Sequence, residues 1–372
     1  MKIVADSNIP FVTNYFDGYG ELLLKKGRAI TADDVRDADI LLVRSVTPVN
    51  EALLANSKVK FVGSVTAGYD HLDTKWLDDA GIIWSVALGF NAPPVADYVL
   101  SVIAALQNKG CLPQEKVRAA VIGAGNVGRL VIERLQLLNF DITVCDPVRA
   151  AKEPDFLSTP MDDLADFDLI SLHVPLTRSG EYPTRHFINQ EFLQRQKENC
   201  VLLNASRGAV IHSRELLKYG THMRWCFDVW EHEPHINKSI LQQAFIATPH
   251  IAGYSVQSKI RGIDIIYRIA CDTKMIEAKP ITPLVMPRQR LDFSGQSRWQ
   301  DVVLGVFNPM IITTMMRELL LPDADDLQSD APFDDMRNQF NYRYELGFTN
   351  ITNVDLSVED AMLLEKLGVK IY

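Results

Sequence analysis

The stretch Ala119-Ala120-Val121-Ile122-Gly123-Ala124-Gly125-Asn126-Val127-Gly128-Arg129-Leu130-Val131 decides the fold. It reads as a buried strand, a glycine turn and the first turn of a helix. Gly123 permits the tight turn, Gly125 lets backbone approach a pyrophosphate, and Gly128 lets helix and strand pack closely. Asn126 and Val127 open the helix, whose unpaired N–H groups face the phosphates. The next apolar run, Ile142-Thr143-Val144-Cys145, ends at Asp146, about 20 residues further on. A carboxylate there accepts hydrogen bonds from the adenosine ribose hydroxyls and repels a 2′-phosphate, so the pattern predicts NAD rather than NADP. Asp146 before Pro147 also suits a turn, and the two readings are compatible.

Outward from this motif the chain keeps alternating strand and helix. Toward the N-terminus, Ile3–Ala5, Ile40–Val43, Phe61–Ser64 and Ile82–Val86 read as buried parallel strands, with helical pieces such as Glu51–Asn56 between them. Pro93-Pro94 opens a helix on which Val95, Tyr98, Val99, Val102, Ile103 and Leu106 recur at helical spacing. Toward the C-terminus, strands are expected at Arg118–Ile122, Ile142–Cys145, Leu169–Leu172, Val201–Asn204, Trp225–Val229 and Phe245–Ala247, and a helix from Val256 to Thr273. Pro280, Pro283 and Pro287 punctuate a linker. Amphipathic helices follow at Trp299–Val306 and Met310–Leu320, then a polar loop from Pro322 to Ser329.

The 372 residues are enough for two or three domains. A hydrophobic share of 47% fills ordinary cores and excludes disorder. The net charge of −9, with no basic run, argues against nucleic acid and anionic membrane as partners. The opening Met1-Lys2-Ile3-Val4-Ala5-Asp6 reads as a strand rather than a signal peptide, and no apolar run reaches the roughly 18 residues of a membrane span. The 5 cysteines are odd in number and lack C-x-x-C spacing, which fits reduced core thiols in the cytoplasm.

Three later segments carry chemistry. In Leu203-Asn204-Ala205-Ser206-Arg207-Gly208, an arginine follows a buried strand, at the sheet end where α/β ligands bind. Its planar fork matches a carboxylate. Asp228-Val229-Trp230-Glu231-His232-Glu233-Pro234 and Thr248-Pro249-His250-Ile251-Ala252-Gly253-Tyr254 bring a histidine and a carboxylate. Such a pair suits hydride transfer from an alcohol, because the histidine takes the hydroxyl proton near neutral pH while the carboxylate orients the ring. Singly, Arg207 also fits an exposed turn, and Glu233 and His250 also fit structural positions. His232-Glu233-Pro234-His235 is not H-E-x-x-H, and Pro234 disfavours a continuing helix, so no metal is expected. His71, His173 and His186 read as packing or capping residues.

Jointly, the glycine motif, Asp146, His173-Val174-Pro175-Leu176-Thr177, the Ser-Arg-Gly turn, Asp228-Val229-Trp230 with Glu233-Pro234, and Thr248-Pro249-His250 resemble the D-2-hydroxyacid dehydrogenase family over roughly residues 1–275. The resemblance implies a Rossmann NAD domain inserted in a split flavodoxin-like α/β substrate domain. The expected limits are 1–92 with 253–281 for the substrate domain, 93–252 for the NAD domain and 282–372 for a C-terminal α+β dimerisation domain. It also implies roles. Arg207 grips the substrate carboxylate, and Glu233 supports His250 as acid/base. Gly123, Gly125, Asn126, Val127, Gly128, Asp146, Val174, Ala205, Ser206, Arg207, Asp228 and Gly253 line the NAD site. Ser45, Thr66 and Tyr254 contact substrate.

Within the family, Arg44-Ser45-Val46-Thr47, Gly63-Ser64-Val65-Thr66-Ala67-Gly68-Tyr69-Asp70-His71, Ile251-Ala252-Gly253-Tyr254 and Phe333-Asp334-Asp335-Met336-Arg337 with Arg343-Tyr344-Glu345 resemble one branch. That branch acts as a homodimer on a four-carbon 2-hydroxy acid bearing a 4-phosphate. Arg44, with neighbouring hydroxyls, is the candidate for the phosphate. Two other readings stay open at this level: a phosphoglycerate-type dehydrogenase, and an NADH-sensing protein–protein adaptor on the same fold.

Overall fold

A computed structural model of the chain describes residues 1–280, 284–322, 331–340 and 343–372. The chain divides into two compact units, Met1–Asn91 with Val256–Pro287, and Ala92–Ser255 with Arg288–Tyr372. Of the residues 282–372 expected to form a C-terminal domain, Arg288–Tyr372 fall in the second unit.

The first unit is built on β1 (Lys2–Asp6), β2 (Glu21–Lys25), β3 (Ile40–Val43), β4 (Phe61–Ser64) and β5 (Ile83–Val86). They pair in parallel in the order β2-β1-β3-β4-β5, the flavodoxin-like arrangement. Strand side chains alternate between faces. Ile3, Ala5, Ile40, Leu42 and Phe61 accordingly join Ile263 and Ile266 of the helix Val256–Asp272 in one core. Val4, Leu41, Val43 and Val62 face a second core with Leu54 and Leu77. Burial on both faces is why these strands read as unbroken apolar runs. β2 is not expected from sequence. Its Leu22-Leu23-Leu24 triplet lacks β-branching, and as an edge strand it leaves Leu24 exposed.

The second unit contains β6 (Arg118–Ile122), β7 (Asp141–Cys145), β8 (Leu169–Leu172), β9 (Val201–Asn204), β10 (Arg224–Phe227) and β11 (Ile246–Ala247), all parallel, in the order β11-β10-β9-β8-β6-β7. The direction of winding reverses between β6 and β8. In such sheets ligands bind at that point, beyond the strand ends. The Rossmann order has one more strand outside β7. Here the segment around Thr159 takes that place without becoming a strand, its N–H donating to the Val144 carbonyl.

Residues beyond 288 cover both faces of this sheet. Trp299, Val302, Val303, Phe307, Leu346 and Ile351 join the core that contains the helix Ala92–Asn108, while Met316 and Phe333 join the other. β12 (Gln289–Gln296), β13 (Thr349–Asp355) and β14 (Lys370–Ile371) add a small parallel sheet. From residue 323 onward the expected polar loop lies outside the described residues, as does Pro283.

Arg343 anchors this segment. It is buried, and its guanidinium donates to the carbonyls of Tyr254 (2.9 Å), Ala252 and Pro94. It also lies in the field of Asp97, Asp228 and Glu345. A buried carbonyl left without its donor costs about 1–3 kcal/mol. Arg343→Met is therefore expected to destabilise the protein by about 3 kcal/mol or more. Urea unfolding measures this, and an unchanged midpoint contradicts the anchoring role.

Candidate active site

The glycine turn is shaped by three different constraints. Gly123 has φ +91°, and a Cβ on it would lie 2.4 Å from the His173 carbonyl oxygen. A Cβ on Gly128 would lie 1.8 Å from the Gly123 carbonyl oxygen, so only glycine lets the helix Asn126–Leu137 start there. A Cβ on Gly125 would meet nothing within 4 Å. The fold does not require that glycine, and the open space above it is what a dinucleotide pyrophosphate needs. The residues present thus fit NAD. Val174, at the end of β8, closes the other wall of the turn, where a Cβ on Gly123 would lie 3.0 Å from its Cγ1. His173 beside it is buried, with Nε2 2.8 Å from Ser171 Oγ, and burial pushes its imidazole down to about 3. It is a neutral packing residue.

Asp146 takes the expected turn position before Pro147 and lies beside the glycine motif. Its Oδ1 caps the short helix Pro147–Ala150 by accepting from Arg149 N–H, at 2.9 Å. Its Oδ2 accepts from Ala124 N–H at 2.7 Å, fixing the carboxylate beside the glycine turn. Arg149 is tied to Glu153 (2.8 Å) and to the Ala124 carbonyl (3.2 Å), and its guanidinium lies 4.2 Å from the Phe156 ring centroid.

The turn after β9 is organised by Asn204, a residue given no role by sequence reasoning. It is fully buried. Its Oδ1 accepts from the Ser206 N–H (3.0 Å) and hydroxyl (2.8 Å), and its Nδ2 donates to the Arg207 carbonyl (2.9 Å). Ala205, Ser206 and Arg207 are thereby held in one shape. A Cβ on Gly208 would lie 1.9 Å from the Trp230 carbonyl carbon, so this turn packs directly on the segment leading to Glu233.

Glu233 and His250 meet as expected: His250 Nδ1 is 2.7 Å from Glu233 Oε2. The other oxygen, Oε1, accepts from Trp230 N–H at 2.7 Å. Burial acts to raise the Glu233 carboxyl, but the neighbouring His250, its hydrogen bond, and Arg337 carry it below its ordinary value. The carboxylate is thus ionised and fixes the tautomer with the proton on Nδ1, leaving Nε2 as the basic atom.

Asp228 holds this arrangement from below. It is buried, and accepts from the Thr248 hydroxyl (2.6 Å) and the N–H groups of Ile251 (2.8 Å) and Ala252 (2.9 Å). Its carbonyl accepts the His250 N–H at 2.7 Å. Tyr98 reaches the same Thr248 hydroxyl at 2.8 Å. His250 itself has φ +57°, a left-handed conformation costing about 1–2 kcal/mol in a non-glycine residue. Gly253 follows in the same turn, and Tyr254 presents its hydroxyl to Arg337 Nη2 at 3.3 Å.

Ser45, Thr66 and Arg44 belong to the first unit. Ser45 is exposed in the turn after β3. Thr66 Oγ1 donates to the Gly68 carbonyl at 2.7 Å and lies 2.7 Å from Ser64 Oγ. Arg44 donates through Nε to Asp6 Oδ2 at 2.9 Å, and that aspartate side chain is completely buried. Part of the Arg44 charge is therefore committed to the fold. Thr47, grouped with Arg44 by sequence, is buried and donates to the Gly27 carbonyl at 3.0 Å.

Two other histidines, His186 and His212, lie together away from this site. His186 Nε2 is 2.6 Å from Glu231 Oε1, and the His186 and His212 rings lie 4.6 Å apart. Among the described residues no three His, Cys, Asp or Glu side chains converge on a metal position. Burial pushes the Cys145 thiol up to about 11 and the Cys200 thiol up to about 12.

Residues 107–252 match the family described as D-isomer specific 2-hydroxyacid dehydrogenase, NAD binding domain. An erythronate-4-phosphate dehydrogenase of Saccharophagus degradans is 47% identical over 362 residues, covering 94% of this chain and 94% of that protein. One from Coxiella burnetii is 41% identical over 344 residues, covering 92% and 94%. Among solved structures, NAD⁺-bound 3-phosphoglycerate dehydrogenase of Entamoeba histolytica aligns with a TM-score of 0.61 at 23% identity, over 77% of this chain and 99% of that one, a likeness of fold.

The position of Asp146 carries a prediction about the cofactor. NAD is expected to bind more tightly than NADP, and Asp146→Ala to narrow the difference. Affinities from quenching of protein fluorescence decide it, and equal or tighter NADP binding by the unaltered protein contradicts the assignment.

Proposed function

The chain belongs to the erythronate-4-phosphate dehydrogenase family of D-isomer specific 2-hydroxyacid dehydrogenases, and from that premise we propose that it oxidises 4-phospho-D-erythronate at C2. The product is (R)-3-hydroxy-2-oxo-4-phosphooxybutanoate, on the route to pyridoxal 5′-phosphate. The chain is an NAD-dependent oxidoreductase. The observation that carries the reaction is the 2.7 Å contact between His250 Nδ1 and Glu233 Oε2.

Arg207 holds the substrate carboxylate by its planar fork, fixing C2 and its hydroxyl. His250 takes the hydroxyl proton on Nε2. The resulting imidazolium is stabilised by Glu233, already ionised and already bonded to Nδ1. NAD, when bound, would supply the acceptor for the hydride leaving C2. Gly123, Gly125, Asn126, Val127, Gly128 and Val174 are proposed to cradle its pyrophosphate, Asp146 to bind its ribose, and Ala205, Ser206, Asp228 and Gly253 to line the rest of its site. Ser45, Thr66 and Tyr254 are proposed as substrate contacts, together with the part of Arg44 not bonded to Asp6.

We further propose a cytoplasmic homodimer formed through the segment after residue 288. The amphipathic helix Trp299–Val306 turns Val302 and Val303 into the core of its own unit, where Phe307 is also buried. The support comes instead from Ile311, Met315 and Leu319, which are 59%, 50% and 49% exposed at four-residue spacing on the helix Pro309–Leu320. Such a stripe is self-complementary across a two-fold axis. No single helix among the described residues is long and apolar enough to cross a membrane.

Two outcomes are expected. His250→Ala loses about 10²–10⁴-fold in turnover with NADH binding nearly intact, and Glu233→Gln moves the acid limb of the pH–rate profile to lower pH, because imidazolium loses its carboxylate partner. NADH formation from 4-phospho-D-erythronate measures both, and an unshifted profile contradicts the pairing. Light scattering should give twice the chain mass for the protein and the chain mass for Met315→Asp. A monomeric unaltered protein refutes the dimer.

A further inference from the structure

The helix Ala331–Gln339 brings a second arginine to the catalytic residues of the second unit. It is docked by Phe333, which is 2% exposed in the core that holds Met316 and Trp230, with Met336 packed beside it. From this helix Arg337 reaches back to Tyr254, donating from Nη2 to the hydroxyl at 3.3 Å, and its charge bears on Glu233. The side chain is only 16% exposed. Its carboxylate neighbour, Asp334, stands 3.6 Å from Nη1, too far for a hydrogen bond. The Nε is buried with no hydrogen-bond partner among the described residues.

A guanidinium presents five donors in a rigid fork. Here one donor goes to a phenol, one carboxylate is held at arm's length, and the buried Nε faces no acceptor. Asp334 and Glu233 already offset the charge, so it is the spare hydrogen-bonding capacity of the fork that an anion would complete. Arg44 differs, since its Nε bonds directly to buried Asp6. In the reaction proposed above, Arg207 takes the substrate carboxylate. The phosphate brings a second and larger negative charge that needs a cation of its own.

We propose that Arg337 is a substrate ligand that recognises the phosphate-bearing end of the substrate, so that the C-terminal segment supplies a specificity-determining residue to the active site. The inference rests on the hydroxyacid reading of the site. Tyr254 is then shared: it touches substrate while its hydroxyl accepts from Arg337, and the two act as one wall. This gives the segment after residue 288 a part in catalysis besides any part in assembly.

The test compares Arg337→Ala, Arg337→Lys and Arg44→Ala with the unaltered protein, on 4-phosphoerythronate and on unphosphorylated erythronate. Circular dichroism and light scattering check that each variant is folded and assembled. Arg337→Ala is expected to lose roughly 10- to 150-fold in kcat/KM for the phosphorylated substrate, mainly through KM, as for one charge-assisted hydrogen bond. Erythronate should lose about threefold or less, and Arg337→Lys should recover part of the loss because it keeps the charge. Equal losses on both substrates, or a shifted pH profile common to both, would make Arg337 a positioning residue for Glu233 and overturn the proposal. Selectivity lost in Arg44→Ala alone overturns it too. Binding of inorganic phosphate, followed by calorimetry, separates this from the hydroxyacid reading. If the unaltered protein turns over neither substrate, weaker phosphate binding by Arg337→Ala still supports the anion site, and unchanged binding refutes it.

Discussion

One buried carboxylate, that of Asp228, sets the geometry on which the catalytic centre depends. It lies just beyond β10, takes the Thr248 hydroxyl and two backbone N–H groups, and its carbonyl receives the His250 N–H. These bonds close the turn 248–252 on the end of the sheet. They also hold His250 in a left-handed backbone conformation that would otherwise relax. The burial that drives the Asp228 carboxyl upward is opposed by the donors around it and by His250. The histidine is positioned from its backbone by one acid and from its ring by another, Glu233.

The same device recurs at other strand ends. Asp6 ends β1 and is matched by Arg44, while Asp146 follows β7 and is matched by the N–H groups of Ala124 and Arg149. Carboxylates at the carboxyl ends of parallel strands stiffen the loops from which function is built. Buried cations do the same for the C-terminal segment, where Arg343 ties three carbonyls and Arg337 reaches Tyr254. Neither arginine could be removed without leaving polar groups in an apolar interior.

The parallel sheets were legible because their strands are buried on both faces, so β3, β4, β6, β8 and β9 stand out as apolar runs with the expected limits. β2 and β12 were not. The first is a leucine-rich edge, and the second offers only Leu291 and Phe293 as inward residues among polar neighbours. At the site, the Glu233–His250 pair was legible through its motif, while the supports Asn204, Thr248 and Tyr98 were not. A buried asparagine or tyrosine carries no spacing signature, and its role comes from partners as distant as 150 positions along the chain. Arg337 is hidden for the same reason. Val302 and Val303 show the converse limit, since the amphipathic helix Trp299–Val306 predicts burial without saying against what.

The most direct test of the account is the state of the His250 ring when Asp228 is changed to Asn, which keeps the side-chain shape but turns one acceptor into a donor facing an N–H group. Proton NMR of the imidazole reports the hydrogen-bonded Nδ1 proton through its downfield resonance. The account predicts that this resonance is present in the unaltered protein and lost or broadened in Asp228→Asn, while methyl signals from the sheet core persist. An unchanged His250 resonance in that variant would contradict the claim that the buried carboxylate holds the catalytic histidine to its partner.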